Sequence, residues 1–320
     1  MPNKDVERIK GLYAIIQHGH YIVLYGKKLI ICNDEGDVIA CRNELRNVHK
    51  VIAVSQNEIL VDCGPQKAYI VLSLEDGSEL WRVPYPKLDY TSRSFTISQD
   101  SAFVYDYYDF NDCQYLVRID LKAKSLTTTR LDKGLRCVSD LICDSNGVPC
   151  LLEHHYEIVD EKHISLNRIR KVCDESVGMG SAYYWRDEWC FDFPVISLFF
   201  LGDTETVLTN NLQVYCPKNG DMYTLIKKED KKKIPANAPF DWKTTPNKQY
   251  IILIYDEMNV VVDIKTRSIV ARYRTDFYHG CLIGDCFWVS SNDGIIKKPF
   301  PLIEDIPQKT YDFWNPWASK

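Results

Sequence analysis

Short apolar segments, bounded by turn-forming residues, follow one another along nearly the whole chain. They are rich in Val, Ile, Leu and Tyr, and the best of them lie at residues 29–32, 58–63, 68–72, 115–119, 195–201, 250–255 and 260–262. Segments of this length and composition are typical of β-strands. No long stretch has the spacing of an amphipathic helix, and the best helical candidate, residues 6–13, is a turn or two. The pattern predicts an all-β protein.

A polar turn that carries Asp, Gly or Ser and leads into another apolar strand recurs along the sequence. Copies lie at residues 31–40, 71–81, 117–126, 214–223 and 261–270. Between Gly36, Gly77, Lys124, Gly220 and Arg267 the spacings are 41, 47, 96 and 47 residues, and we expect a further copy at 156–168, with its turn at 160–163. A period of about 40–50 residues, with four short strands in each unit, is typical of a β-propeller.

The fold predicted from this repeat is a single β-propeller domain covering residues 1–320. At about 45 residues per blade the length gives seven blades, although six or eight also fit. The predicted blades are 11–45, 46–85, 90–133, 135–172, 193–228, 240–275 and 276–300. The last lacks an outer strand, so we expect residues 2–10 to pair with it and close the ring, which protects the sheet edges.

One segment resembles the repeat of known propeller superfamilies. Residues 74–81, Leu-Glu-Asp-Gly-Ser-Glu-Leu-Trp, combine an acidic-Gly turn with a following Leu-Trp pair. This is similar to the repeat of the PQQ-like and WD40-like propellers, closely over residues 68–83 and as a rhythm over most of the chain. The Gly-His and Trp-Asp dipeptides of true WD40 repeats do not recur. The resemblance implies a fold and no particular activity.

Charge and cysteine content limit the classes of partner and the cellular compartment that we expect. The chain has 39 Lys and Arg against 44 Asp and Glu, a net charge of -5, so we expect neither a nucleic-acid nor a membrane partner. It has no apolar run of the roughly 20 residues that a membrane helix needs, and its start does not resemble a signal peptide. The 12 cysteines include no Cys-x-x-Cys pair. We therefore expect reduced thiols and a cytoplasmic protein.

Aromatic and acidic residues concentrate in the longest predicted loops, at residues 84–92, 106–112, 171–193, 228–241 and 275–279. Propeller topology places these loops on one face, and the short Asp/Gly turns on the other. Aromatic side chains crowd protein interfaces, and carboxylates favour a basic partner. The predicted partner-binding residues are Tyr85, Tyr90, Tyr107, Tyr108, Asp109, Asp112, Tyr184, Trp185, Asp187, Trp189, Trp242 and Tyr278. The same aromatics could instead brace the loops or plug the central channel.

No pattern of catalytic, metal-binding or cofactor-binding residues emerges from the sequence. Asp106, Asp109 and Asp112 do not follow the calcium-loop pattern, and the adjacent His154 and His155 point to opposite faces of a strand. We therefore expect a non-catalytic adaptor or stoichiometric inhibitor that binds another protein and holds no metal or cofactor. Two alternatives stay open: a metal- or carboxylate-dependent hydrolase or lyase with its site in the axial channel, and a structural subunit of a larger assembly.

Overall fold

The computed structural model describes most of the chain. The described residues are 11–86, 92–98, 100–108, 113–131, 137–172, 179–189, 198–203, 205–235, 239, 241–245, 247–275, 280–291 and 294–306. In this part of the chain there is no α-helix, and no helix is long and apolar enough to cross a membrane.

Seven antiparallel sheets, formed by 27 strands in the described ranges, make up a seven-bladed β-propeller. In each sheet the strands follow chain order, so every blade is a meander. The all-β, seven-bladed prediction is therefore confirmed. Contacts divide the chain into two compact units, 1–85 with 226–310, and 86–225 with 311–320.

The first unit contains blades 1, 2, 6 and 7. Blade 1 comprises β1 (Leu12–His18), β2 (Tyr21–Gly26), β3 (Leu29–Asn33) and β4 (Val38–Arg42). Blade 2 comprises β5 (Val48–Ser55), β6 (Glu58–Cys63), β7 (Ala68–Ser73) and β8 (Glu79–Pro84). Blade 6 comprises β21 (Asp241–Thr244), β22 (Tyr250–Tyr255), β23 (Met258–Asp263) and β24 (Ser268–Arg274). Blade 7 has three strands in the described range, β25 (Gly280–Ile283), β26 (Cys286–Ser291) and β27 (Gly294–Pro299).

The second unit contains blades 3, 4 and 5. Blade 3 comprises β9 (Ser92–Ser98), β10 (Ser101–Tyr108), β11 (Cys113–Asp120) and β12 (Ser125–Arg130). Blade 4 comprises β13 (Cys137–Cys143), β14 (Pro149–Val159), β15 (Lys162–Val172) and β16 (Met179–Trp189). Blade 5 comprises β17 (Leu198–Phe200), β18 (Val207–Thr209), β19 (Gln213–Cys216) and β20 (Asp221–Thr224).

Burial explains why the middle strands are almost continuously apolar. β2 and β6 are buried at every position but the first, because each lies inside a sheet that is covered on both faces. The outer strands β4 and β8 alternate between half-buried and exposed positions instead. Within each unit the core therefore consists of apolar layers between neighbouring blades. In the layer between blades 1 and 2, for example, Val23 and Ile31 pack with Ile59 and Ile70.

The repeated polar turns all occupy the same place within their blades. Gly36, Gly77, Lys124, Gly220 and Arg267 all lie between the third and fourth strands of their blades, and all have positive φ, from 54° at Lys124 to 98° at Gly36. Glycine tolerates this left-handed conformation most easily, which accounts for its recurrence there. The further copy expected at 156–168 is wrong in position, because it falls on the hairpin between the second and third strands, β14 and β15.

Blade 4 also departs from its predicted bounds. Residues 135–172 contain three of its strands, and the fourth, β16, lies inside the segment 171–193 that was predicted to be a loop. Tyr and Trp favour strands, and β16 pairs with β15 from Val172–Met179 to His163–Trp189.

Blade 7 packs against blade 1 within the first unit. Ile15 and Ile22 share an apolar cluster with Ile283, Trp288 and Ile295. The strand that residues 2–10 were expected to add lies outside the described residues. Leu12 and Tyr13, which ended the helical candidate at 6–13, belong to β1 instead.

The connection from blade 5 to blade 6 runs along the outer strand β24. The buried carboxylate of Asp230 accepts a hydrogen bond from the Ile269 N–H (3.2 Å), and the Arg272 guanidinium donates to the Lys233 carbonyl (2.8 Å). These two hydrogen bonds anchor the lysine-rich segment 227–233 to β24.

Candidate functional site

The predicted partner-binding residues divide into three groups by what the structure describes. Tyr90, Asp109, Asp112 and Tyr278 lie outside the described residues. Tyr107 and Tyr108 end β10, and Tyr184, Trp185, Asp187 and Trp189 lie on β16, in strands whose backbone is described. Tyr85 and Trp242 are described with their side chains.

Strand β16 brings four of these residues into one pairing register. Trp185 lies opposite Asn167, and Trp189 lies opposite His163 on β15. Because successive residues of a strand alternate between the two faces of a sheet, Trp185, Asp187 and Trp189 occupy one face and Tyr184 the other. A regular strand, and not a loop, thus determines the spacing of these residues.

The strands that precede β16 are equally long. β14, β15 and β16 have 11 residues each, whereas β6, β7 and β22 have six. We call the residues 154–167 of β14 and β15, together with 183–189 of β16, the blade-4 extension. β10 and β16 are the second and fourth strands of neighbouring blades, so their carboxyl ends lie on the same face of the propeller.

The tip of the β14–β15 hairpin is apolar and exposed. Ile158 is 59% and Val159 38% exposed, and Val159 pairs with Lys162 across a two-residue turn. The turn residues, Asp160 and Glu161, both have positive φ, at 51° and 64°. This is the pattern of a type I′ hairpin turn, formed here without glycine. An exposed aliphatic pair at such a tip offers apolar surface to a binding partner.

A buried polar network supports the base of the extension. His154 is 3% exposed, and its Nδ1 lies 2.8 Å from Asn167 Oδ1 and 3.3 Å from Ser165 Oγ. The Ser165 hydroxyl also donates to Asn167 Oδ1 at 2.8 Å. Because buried polar groups are costly unless they are paired, such a network fixes the register of β14 against β15.

On the opposite face of the same strands, Glu153 forms a buried ion pair. Its carboxylate is fully buried and accepts from the Arg168 guanidinium directly opposite on β15, while Arg170 Nη1 lies 3.4 Å away. The two arginines are partly exposed, so the charges are only partly desolvated. Glu153 and His154, on opposite faces, do not form an acid-base pair.

Tyr85 fixes the start of the connection between blades 2 and 3. Its N–H donates to the Lys67 carbonyl (2.8 Å), and its hydroxyl donates to the buried carboxylate of Asp62. Its ring lies 4.7 Å, centroid to centroid, from that of the buried Tyr69. His49 Nδ1 is 3.9 Å from the other oxygen of Asp62. Sequence reasoning missed Asp62, because a carboxylate inside an apolar strand gives no sign of its partner.

Trp242 lies on β21, the first strand of blade 6, where it is half-buried and pairs with Leu253. It therefore lies on the first strand of blade 6, inside the predicted bounds 240–275 of that blade. Across the described ranges, no group of three or more His, Cys, Asp or Glu side chains is arranged to hold a metal ion. The eight cysteines that are described with their side chains are free thiols, three of them buried, at Cys32, Cys63 and Cys150.

Comparisons with known proteins assign this chain to no family. No known protein family matches the chain, and no curated protein does. A solved structure described as "KlHsv2 with loop 6CD replaced by a Gly-Ser linker" is similar with a TM-score of 0.49 and 10% identity, over 89% of this chain and 90% of that chain. A similarity this weak supports no functional inference, and membership of the PQQ-like or WD40-like families is not shown. The propeller fold rests on the seven sheets of this chain.

Proposed function

We propose that this propeller is a non-catalytic module that binds another protein through the blade-4 extension. One observation supports the proposal most strongly. An 11-residue edge strand places Trp185, Asp187 and Trp189 in one register, beside a hairpin tip with exposed Ile158 and Val159. Tryptophan and large aliphatic residues supply most of the binding energy at protein interfaces.

The edge of β16 offers a second means of recognition. β16 is the outermost strand of its sheet, and within the described residues no strand pairs with its other edge. Exposed edges present backbone donors and acceptors to which a partner strand can pair. Natural proteins usually protect such edges, so a long one beside aromatic residues supports a binding role.

Charge favours a basic partner. The extension contains the acidic residues Glu157, Asp160, Glu161, Asp187 and Glu188 against the basic residues Lys162 and Arg186, and the whole chain has a net charge of -5. Such complementarity speeds association and excludes acidic competitors. We place the interaction in the cytoplasm, and the free thiols support that compartment. Both an adaptor and a stoichiometric inhibitor would use such a surface.

A comparative pull-down tests the proposal. Tagged wild type, the double variant Trp185→Ala/Trp189→Ala and the control Leu80→Ala are used to recover partners from the native cell extract, with quantification by mass spectrometry. Leu80 is 43% exposed on β8, the outer strand of blade 2, and so controls for the loss of a surface apolar residue.

We expect the double variant to recover about 30-fold less of a specific partner, or lower still, because removing a hot spot weakens binding by about 2 kcal/mol. The control should retain it, and circular dichroism should show that all three proteins are folded. Equal recovery by wild type and double variant would exclude the extension as the interface. The remaining predicted partner-binding residues stay predictions; they are Tyr85, Tyr90, Tyr107, Tyr108, Asp109, Asp112, Trp242 and Tyr278.

A further inference from the structure

A basic surface lies beside the outer strand of blade 6. Its cations come from two segments of the first unit, the connection 227–232 and the turn between β23 and β24. We call them the basic patch: Lys227, Lys228, Lys231, Lys232, Lys265 and Arg267. The Lys227 N–H donates to the Arg267 carbonyl at 3.1 Å, and this hydrogen bond joins the two segments. The fold therefore adds the cations of a distant turn to the charge run at 227–233.

A tight turn gathers the lysines of the first segment. The Lys231 N–H is shared between the carbonyls of Lys227 (3.2 Å) and Lys228 (3.3 Å), and residues 231–233 form one turn of 3-10 helix. Lys228, Lys231 and Lys232 are exposed, and so is Lys265 on the neighbouring turn. Like charges three or four residues apart in a helical turn repel one another. An anion bound beside them would relieve this repulsion.

The acidic residues of the same two segments do not cancel the charge. The carboxylate of Asp230 is buried and accepts hydrogen bonds from a lysine of the segment and from the Ile269 N–H. Asp263 is half-buried at the base of the neighbouring turn, where its carboxylate accepts a backbone N–H of that turn. Glu229 is exposed. The patch therefore presents six cations to solvent beside one exposed carboxylate.

Three lysines of the patch have no structural role. Within the described ranges, the side chains of Lys228, Lys231 and Lys265 form neither a hydrogen bond nor an ion pair. The segment is held instead by Asp230 and by its own backbone hydrogen bonds. These lysines are therefore available to an anionic partner, and their substitution should leave the fold intact.

Recognition at this surface depends on side chains and not on strand pairing. The outer edge of β24 is already occupied, since its Ile269 N–H donates to Asp230 and its Arg272 N–H donates to the Leu302 carbonyl at 2.8 Å. A partner strand would have to displace both contacts. The charge of the patch is thus its main means of recognition.

We propose that the basic patch binds a segment of another protein that is rich in Glu and Asp. Charge complementarity supports this partner, because the patch is strongly basic on a chain whose net charge is -5. The patch contains neither an aromatic side chain on which a nucleic-acid base stacks nor an apolar one that inserts into a membrane. It lies in the first unit, whereas the acidic blade-4 extension lies in the second. The inference therefore does not depend on the role proposed for that extension.

Fluorescence anisotropy with a labelled peptide of alternating Glu and Ser tests the patch, at an ionic strength of about 0.15 M. A peptide with Gln in place of Glu measures the contribution of charge. Two triple variants neutralise three exposed lysines each, in the patch and elsewhere: Lys228→Gln/Lys231→Gln/Lys265→Gln and, as the control, Lys27→Gln/Lys50→Gln/Lys124→Gln. Both variants have the same net charge, so a difference between them depends on the location of the lysines.

We expect the patch variant to bind the Glu peptide about tenfold more weakly than the wild type, because each exposed ion pair contributes a factor of about two. The control variant should bind as the wild type does, and the Gln peptide should not bind. Equal weakening in the two variants would overturn the proposal. Tighter binding of the wild type to a single-stranded oligonucleotide, or to vesicles that contain phosphatidylserine, would overturn the assigned class of partner.

Carbodiimide crosslinking on the wild type maps the site even if a variant fails to fold. The reagent joins a carboxylate of the Glu peptide to a nearby lysine amine as an amide, and peptide mass spectrometry identifies the lysine. Products chiefly at Lys228, Lys231 and Lys265 are expected. Products spread evenly over all exposed lysines, or no product at all, would show that the patch is a solvated surface and would overturn the proposal.

Discussion

Two buried tyrosines of blade 6 differ in the hydrogen bonding of their hydroxyl groups. Tyr255 on β22 is 1% exposed, and its hydroxyl has no hydrogen-bond partner among the described residues. Tyr273 on β24 is fully buried, and its hydroxyl donates to the Pro299 carbonyl at 3.0 Å. The Tyr273 ring also stacks on Phe287, with centroids 4.0 Å apart and planes at 3°. The same substitution, Tyr to Phe, should therefore have opposite effects at the two positions.

The magnitudes follow from the cost of burying a polar group. An unsatisfied buried hydroxyl costs about 1–3 kcal/mol, so its removal in Tyr255→Phe should stabilise the fold by about 1 kcal/mol, after a small loss of packing. Tyr273→Phe removes a hydrogen bond and leaves the Pro299 carbonyl without this donor, so it should destabilise the fold by about 1–2 kcal/mol. The stacking on Phe287 is retained in the second variant. We therefore expect the free energies of unfolding to differ by about 2–3 kcal/mol between the variants.

Urea unfolding, followed by tryptophan fluorescence and circular dichroism, measures the difference. The midpoint should rise for Tyr255→Phe and fall for Tyr273→Phe, with unchanged slopes. If Tyr255→Phe were as destabilising as Tyr273→Phe, the hydroxyl of Tyr255 would have a partner, such as a buried water, and the reasoning would be refuted.

Three further substitutions test other contacts. The pKa of Asp230 is lowered chiefly by its hydrogen bond from Lys233. The ionised carboxylate therefore stabilises the fold above the unfolded pKa of about 4, and this stabilisation is lost as the pH falls. Asp230→Asn should flatten the acid side of a plot of the free energy of unfolding, measured with urea, against pH. Glu153→Gln should lower the free energy of unfolding, measured with urea, by about 3 kcal/mol, because it removes the carboxylate that pairs with two guanidinium groups. A decrease below about 0.5 kcal/mol would mean that water solvates the arginines. Gly280→Ala should destabilise the fold by about 2 kcal/mol or more and so lower the midpoint of thermal unfolding, because a Cβ at this position would overlap the buried ring of Phe287. An unchanged midpoint would show that the ring can move.

The blade repeat was predictable because it depends on local chemistry. The turns at Gly36, Gly77 and Gly220 need a left-handed residue between polar neighbours, and both features appear in the sequence itself. Continuous apolar runs such as β6 and β22 likewise marked the middle strands, whose predicted bounds, 58–63 and 250–255, match the structure.

The candidate site was harder to predict, because it depends on pairing between distant segments. The charged residues among Tyr184, Trp185 and Trp189 obscured a strand that is defined by its pairing with β15. The position of Asp62 gave no signal either, since its partner, Tyr85, is distant in the sequence. Residue composition identified the aromatic segment, but not its conformation.

Site-specific photocrosslinking in the cells that produce the protein tests most directly whether the blade-4 extension is an interface. A photoreactive phenylalanine analogue replaces Asp187 on β16 or, as the control, Leu80 on β8. The account predicts a discrete crosslinked product at position 187 that is absent at position 80. Its formation should also stop when Trp185 and Trp189 are both changed to Ala. Absence of a product at position 187, or identical products at both positions, would contradict the assignment of the interface to blade 4.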